Sequence, residues 1–373
     1  MPSATRFLHI DQPLSMKRGG VLAAFTLAYE TWGKLNTDGS NAVLVLTGLS
    51  PSAHAASSKA DPSPGWWEQM IGPGAPIDTD RFFVISVNSL GSCKGSTGPA
   101  SKNPETGKLY RLDFPDLCIE DIASSAHKVI KHLGVKQLCT MVGPSMGGMS
   151  ALAYLQQNPQ GARHFLTISS APSSEPFSIA IRSLQRELIV SDPAWHEGNY
   201  DQENWPENGM RMARKLGMLS YRSAEEWSIR FGRRLQDHFP AELFGMNYAV
   251  ESYLEAAARR FIHSFDPCSY LYLSRSMDWF DLTDGYPDLT AAVADIRLKT
   301  ACVISVETDI LFPAHQQKAI FDALITNQID TSYTHLQSLL GHDAFLVDHD
   351  NFKPPITAYF DRIWNEDNLS DSL

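Results

Sequence analysis

Leu138-Cys139-Thr140-Met141-Val142-Gly143-Pro144-Ser145-Met146-Gly147-Gly148-Met149-Ser150-Ala151-Leu152-Ala153 decides the fold of this chain of 373 residues. A short apolar run leads into Gly-Pro-Ser-Met-Gly, and a small-residue helical run, Ser150-Ala151-Leu152-Ala153-Tyr154-Leu155, follows. Gly-x-Ser-x-Gly between a strand and a helix predicts a nucleophile elbow, a sharp turn that exposes the serine hydroxyl. The chemistry needs this shape. The turn holds Ser145 in a strained conformation, and the flanking glycines let chain pass where a Cβ would clash. The helix that follows aims its positive end and its free N–H groups at the hydroxyl. The backbone N–H of Met146 is then placed to supply half of an oxyanion hole. The pentapeptide alone also fits a Gly-rich β–α turn with an incidental serine, so the rest of the chain must decide.

The motif asks for an acid and then a histidine, each on a loop after a late strand. Ala301-Cys302-Val303-Ile304-Ser305-Val306 reads as a buried strand, and Glu307-Thr308-Asp309 follows it. Thr334-His335-Leu336 leads to Gly341-His342-Asp343-Ala344-Phe345. Ser145, Asp309 and His342 therefore stand in the order serine, acid, histidine, which resembles the α/β-hydrolases. Upstream, Ala42-Val43-Leu44-Val45-Leu46, Arg81-Phe82-Phe83-Val84-Ile85-Ser86-Val87 and His164-Phe165-Leu166-Thr167-Ile168-Ser169-Ser170-Ala171 are apolar runs of the kind central strands show. Residues 18–34 read as a strand pair entering the same sheet. Residues 119–134 predict an amphipathic helix closed by Gly134. Strand–helix alternation across 42–171 predicts a mostly parallel, doubly wound sheet. In α/β-hydrolases the loop after the 42–46 strand supplies the second oxyanion N–H, and Leu49 is its donor by position. The small-residue stretch 88–99 suits backbone lining a pocket. It lacks the Gly-x-x-x-x-Gly-Lys-Ser/Thr of a nucleotide-triphosphate site.

From about 172 to 295 continuous apolar strands give way to helical segments at 179–190, 209–219, 224–234 and 250–264. This predicts a helical lid inserted in an α/β core of residues 1–171 and 296–373. The lid is rich in arginine, at 182, 186, 211, 214, 222, 230, 233 and 234. Most such arginines sit on solvated faces or in structural ion pairs, while one or two in a cleft would bind carboxylates bidentately. Composition narrows the partners. Net charge is −11 with no basic stripe, which excludes the footprint of a nucleic-acid binder. No apolar run approaches the roughly 20 residues of a membrane helix, and the first residues lack the apolar segment of a signal peptide. Five widely spaced cysteines show neither a metal pattern nor a disulfide framework. A cytoplasmic protein with no metal is the expectation.

Tyr29-Glu30-Thr31-Trp32-Gly33, Asn88-Ser89-Leu90-Gly91-Ser92-Cys93-Lys94-Gly95-Ser96-Thr97-Gly98-Pro99, Ser145-Met146-Gly147-Gly148-Met149, Ala213-Arg214, Ser220-Tyr221-Arg222-Ser223, Tyr270-Leu271-Tyr272-Leu273 and Gly341-His342-Asp343-Ala344-Phe345 carry a closer likeness. Over nearly its whole length the chain resembles the homoserine and serine O-acyltransferases of the α/β-hydrolase fold. The resemblance implies a ping-pong acyl transfer. Ser145 takes an acyl group from an acyl-CoA, with His342 as base and Asp309 orienting it, and the hydroxyl of an amino acid then attacks the acyl-enzyme. It also implies that Arg214 grips the α-carboxylate, that Asp343 meets the α-amino group, and that Tyr221 and Thr47 line the site. One guanidinium and one carboxylate are what a zwitterion wants, with its hydroxyl presented to the acyl carbon. Succinyl-CoA would be a co-substrate, with no cofactor bound, and family members are commonly homodimers joined through the lid.

The departures from the family matter most. Homoserine acyltransferases carry a Gly/Ser-then-His segment where this chain has Gly48-Leu49-Ser50-Pro51, with histidine delayed to His54. That variant resembles the serine O-succinyltransferase branch, as do Pro176-Phe177-Ser178-Ile179-Ala180-Ile181-Arg182 and Ser274-Arg275-Ser276-Met277-Asp278-Trp279-Phe280. Pro51 stiffens the loop and Leu49 adds bulk, which would shorten the pocket by about one methylene, worth about 10–200-fold in discrimination. A succinyl chain carries a second carboxylate that must not be buried unpaired, and Arg182 is the expected partner. L-serine and succinyl-CoA are thus the expected substrates, in cysteine biosynthesis. Homoserine O-succinyl- or O-acetyltransfer in methionine biosynthesis, simple hydrolysis by the same triad, and a non-catalytic binding protein of this fold remain the alternatives.

Overall fold

The computed structural model describes residues 4–237 and 243–370. Eight strands form the main sheet: β1 (Arg6–Ile10), β2 (Phe25–Trp32), β3 (Ala42–Leu46), β4 (Phe83–Val87), β5 (Leu138–Pro144), β6 (Ala162–Ile168), β7 (Thr300–Val306) and β8 (Asp330–Leu336). Their order across the sheet is β1-β2-β4-β3-β5-β6-β7-β8. β2 pairs antiparallel with β1 and β4, and every other pairing is parallel. β3, β5 and β7 are buried at every position, because helices cover both sheet faces and leave no solvent side for alternation. Of the strand pair expected at 18–34, only β2 joins this sheet. Val21–Leu22 instead pairs with Leu14–Ser15 in a separate small hairpin.

Helices α1 (Ile119–His132) and α2 (Met146–Gln157) pack on one face of the sheet. α1 ends as expected, with Gly134 at φ +75° just beyond it. The other face is covered by residues 55–77 and by a long C-terminal helix over His349–Ser370. That helix contains Pro354 and Pro355, each of which removes a backbone hydrogen bond. Burial of Phe352, Ile356, Tyr359, Phe360 and Ile363 against the sheet holds it together, at ~1.5–3 kcal/mol for each large side chain.

The lid leaves the core after β6 and returns before β7. It comprises α3 (Pro176–Val190), α4 (Glu207–Tyr221), α5 (Ala224–Phe231), α6 (Ala249–Phe261) and α7 (Pro267–Trp279). Proline opens α3 and α7, Asp266 caps α7 by accepting from the Ser269 N–H, and Ser223 caps α5 through the Glu226 N–H. Lid side chains such as Ile189, Met210 and Cys268 all join the main core cluster, and the Leu282 N–H donates back to the Pro172 carbonyl at 2.8 Å. α7 packs against α3, and α3 in turn against α4. Among the described residues no helix is long and apolar enough to cross a membrane.

Candidate active site

Ser145 occupies the turn between β5 and α2 with φ +54° and ψ −129°, a conformation a residue with a Cβ rarely adopts. The turn is over-determined. The Ser145 N–H donates to the Ile168 carbonyl at 2.9 Å, and Ser170 Oγ donates to the Ser145 carbonyl at 2.8 Å. A Cβ on Gly143 would stand 2.5 Å from the Gly147 oxygen, and one on Gly147 would stand 2.2 Å from the Leu46 oxygen. Only glycine lets the elbow, its helix and the end of β3 lie this close.

The structure brings the three separated residues together. His342 Nε2 lies 2.8 Å from Ser145 Oγ, and His342 Nδ1 lies 2.7 Å from Asp309 Oδ2. Asp309 follows β7 and is 3% exposed. Its other oxygen accepts from the N–H groups of Leu311 and Phe312, both at 2.9 Å. A carboxylate so anchored accepts a hydrogen bond from Nδ1–H and fixes the proton on that nitrogen, which leaves Nε2 as the acceptor for the serine hydroxyl. Phe312 stacks on the imidazole at 4.9 Å and Phe345 meets it edge-on at 5.7 Å. Burial works against charge on His342, but the Asp309 carboxylate outweighs it and holds the imidazole above its ordinary pKa. Gly341, at φ +63°, turns the chain where a Cβ would come 2.7 Å from the Tyr221 oxygen, so the histidine loop packs directly on α4.

Ser145 opens into a cavity of about 180 Å³ between core and lid. Gly48, Leu49, Ser50 and Pro51 form one wall, and Arg214, Tyr221 and Asp343 another. The N–H groups of Leu49 and Met146 make no hydrogen bond among the described residues, so both are open to a ligand oxygen. The Arg214 guanidinium lies 4.5 Å from the Phe261 ring centroid and 5.7 Å from that of Tyr221. Its buried Nε has no partner among the described residues. Asp343 approaches Arg222 Nε at 3.3 Å, and burial pushes its carboxyl up despite that cation. An unpartnered guanidinium and a carboxylate across one small cavity can receive a zwitterion.

Two expectations need correction, and a third gains a partner the sequence did not show. Thr47 does not line the cavity. It is buried behind the wall, its hydroxyl 3.2 Å from that of Ser89, because the strand end it sits on is packed against the neighbouring strand end. The stretch 88–99 is likewise behind the wall. Asn88 accepts from the Ser96 N–H at 3.1 Å and braces the 48–51 loop by donating to the Pro51 carbonyl at 3.1 Å. Arg182 lines the cavity, where a partner of the acyl carboxylate is expected, and it already carries a counter-ion. Its Nε donates to Asp278 Oδ1 at 2.5 Å and its Nη2 to Ser174 Oγ at 2.6 Å, as burial to 4% exposure demands of a charge. His54 stands between Glu30 and the Ser63 carbonyl, outside the cavity.

The sequence reading missed Trp66, Gln185, Met277 and Phe312 on the cavity wall. Trp66, Gln185 and Phe312 lie in segments without a motif, the 274–280 stretch gave Met277 no role of its own, and only the fold brings the four to Ser145. All five cysteines are free. Cys139, His164 and Asp367 approach one another within 4.8 Å, yet Asp367 is already held by Arg163 and by Lys299 at 2.9 Å. Two cations at the same carboxylate argue against a metal ion there.

The comparisons with known proteins agree with this geometry. A model of the α/β hydrolase fold matches residues 41–348. A serine O-succinyltransferase of Xanthomonas campestris pv. campestris (strain B100) is 55% identical over 372 residues, covering 96% of this chain and 98% of its own. One from Stenotrophomonas maltophilia (strain K279a) is 56% identical over 368 residues, covering 97% and 99%. Among solved structures, a homoserine O-acetyltransferase from Bacillus anthracis superimposes with a TM-score of 0.88 at 26% identity, covering 95% of this chain and 97% of its own. Esterase E22 does so with a TM-score of 0.86 at 27% identity, covering 95% and 99%. Matched over nearly all of its length, the chain belongs to the α/β hydrolase fold family, in the group of the serine O-succinyltransferases.

Proposed function

We propose that this enzyme moves a succinyl group from succinyl-CoA to the hydroxyl of L-serine through an acyl-enzyme on Ser145. The observation that carries the reading is a serine–histidine–aspartate relay opening into a lidded cavity that also holds an unpartnered arginine and a carboxylate. In the first half-reaction Ser145 Oγ attacks the thioester carbonyl carbon and gives its proton to His342 Nε2. The oxyanion forms against the N–H groups of Leu49 and Met146. It collapses with loss of the CoA thiolate, which takes the proton from His342. In the second, His342 takes the proton of the L-serine hydroxyl as that oxygen attacks the acyl carbon, then returns a proton to Ser145 Oγ. Arg214 holds the α-carboxylate and Asp343 the α-ammonium, so the hydroxyl arrives oriented. Protein groups and the thioester suffice for this chemistry, with no bound metal or cofactor. The 48–51 loop sets the acceptor length.

The same proposal includes a second copy of the chain and a place in metabolism. Phe177 and Leu184 lie seven residues apart on α3, and Met212 and Leu219 seven apart on α4, each pair on one helix face and all four exposed. An apolar lid surface of this kind suits a homodimer. Five free thiols suit the reducing cytoplasm. O-succinyl-L-serine would feed cysteine biosynthesis by replacement of succinate with sulfide.

The likeness to esterase E22 favours hydrolysis as the second reading, since a triad alone does not tell water from an amino acid. CoA release from succinyl-CoA, followed with and without L-serine, separates the two. Transfer requires sustained release only with the amino acid present. Release at the same rate in its absence would establish hydrolysis.

A further inference from the structure

Three side chains from two lid helices form one charged group beside the cavity, with Arg182 and Asp278 buried and Arg186 half-buried. Arg182 and Arg186, one turn apart on α3, both face Asp278 on α7. Arg182 bonds Asp278 Oδ1 through Nε, while Arg186 Nη2 lies 2.6 Å from Asp278 Oδ2 and Arg186 Nη1 donates to Ser274 Oγ at 2.9 Å. Two guanidiniums against one carboxylate leave this group with a net charge of one positive unit. Arg182 also keeps a buried Nη1 with no hydrogen-bond partner among the described residues, and both Arg182 and Ser274 line the cavity that holds Ser145.

We infer that Arg186, which does not itself line the cavity, supplies the charge by which Arg182 selects an acyl donor with a terminal carboxylate. The inference rests on the succinyl-transfer reading and deepens it. A largely desolvated uncompensated charge and a buried unpartnered donor are both costly. A carboxylate entering at Arg182 Nη1 answers both. It brings two cations into balance with two anions and gives the donor its acceptor, whereas an acetyl or a plain alkyl acyl group does neither. Without Arg186, Asp278 would neutralise Arg182, and an incoming carboxylate would meet a pair with no net charge to offer. Arg186 is thus a positioning and charge-balancing residue, acting through Arg182 and Asp278.

The test compares succinyl-CoA with butyryl-CoA, a donor of equal acyl length that lacks the carboxylate, with L-serine as acceptor. The readout is the ratio of the two kcat/KM values. Arg186→Met is expected to lower that ratio about 10- to 100-fold, mainly through KM for succinyl-CoA, as loss of a charged hydrogen-bond system implies. Arg186→Lys keeps the charge and is expected to hold the ratio within about threefold. Arg186→Met combined with Asp278→Asn restores one net positive unit and is expected to recover most of the ratio. General damage to the lid would slow both donors together and leave the ratio alone. A ratio unchanged in Arg186→Met, or a double variant no better than the single one, would overturn the inference while leaving succinyl transfer intact. A ratio near one in the unaltered enzyme would overturn the succinyl reading and this inference with it.

Discussion

Asn88 Nδ2 donates to the Pro51 carbonyl oxygen at 3.1 Å, tying the residue that follows β4 to the four-residue loop on the cavity wall. The same nitrogen lies 3.2 Å from Ser92 Oγ, and Asn88 Oδ1 accepts from the Ser96 N–H, so one buried amide fixes two loops. Replacing Asn88 with alanine orphans these groups at about 1–3 kcal/mol each. We expect Asn88→Ala to lower the melting temperature and to narrow the preference between L-serine and L-homoserine, since the loop that sets acceptor length loses its brace. Thermal unfolding together with kcat/KM for the two amino acids checks this. An unchanged preference would detach loop rigidity from specificity.

The pH dependence follows from His342. Its pKa is raised above the ordinary 6.5, with burial opposing and Asp309 prevailing. The base works only when neutral, so kcat/KM for the acyl donor should fall as pH drops through the raised value, on a limb lying above pH 6.5. Asp309→Asn removes the main support for the charged imidazole. It should shift that limb downward and cost roughly 10³–10⁴-fold in kcat through the wrong tautomer. A pH–rate profile that stays in place in Asp309→Asn would remove His342 as its origin.

Among the described residues Arg214 makes no ion pair, and its guanidinium rests on Phe261 and Tyr221. Arg214→Leu should raise KM for L-serine roughly 30- to 150-fold, the worth of a charged hydrogen bond. Formation of the acyl-enzyme, read as a burst of CoA without amino acid, should fall less than about tenfold. Equal losses in the two half-reactions would indicate a structural arginine.

Glu255 on α6 ties the lid to itself. It accepts from Lys215 and, at 2.8 Å, from Arg211, both on α4, and from Arg259 at 2.7 Å. Hydrogen bonding from Lys215 is the largest favourable influence on its carboxyl, which is held down to about 2 from an ordinary 4.5. A depressed carboxylate stabilises the fold above its unfolded value, and that contribution is lost as pH falls from 4.5 toward 2. Amide exchange in α4 and α6 should therefore accelerate across that window, and Glu255→Gln should show the faster exchange already at neutral pH. Equal acid sensitivity in Glu255→Gln would place the weak point elsewhere.

The elbow and the order of its partners were legible in the sequence because each is a local pattern: an apolar strand, then a polar loop, then a named residue. Ser145, Asp309 and His342 could be read without any knowledge of their contacts. β8 was legible only at its Thr334-His335-Leu336 end, since Asp-Thr-Ser-Tyr-Thr-His-Leu is an edge strand with little apolar signal. α7 was silent as a helix. It buries serines and tyrosines on several sides, so no single apolar stripe marks it. The counter-ion of Arg182 was hidden for the same reason. That counter-ion, Asp278, lies 96 residues away, and sequence alone does not tell an arginine at a cavity from one already clamped by a carboxylate. Thr47 was misplaced because its neighbour, Ser89, is brought to it only by sheet order.

The measurement that bears most directly on the central claim is a four-way assay of the purified enzyme. L-serine and L-homoserine are each offered with succinyl-CoA and with acetyl-CoA, following free CoA and identifying the product by mass. The structure and its relatives lead us to expect O-succinyl-L-serine as the dominant product, with acetyl transfer and homoserine both secondary. A dominant homoserine product would contradict the role given to Gly48-Leu49-Ser50-Pro51, and a dominant acetyl product would contradict the role given to Arg182 and its two charged neighbours.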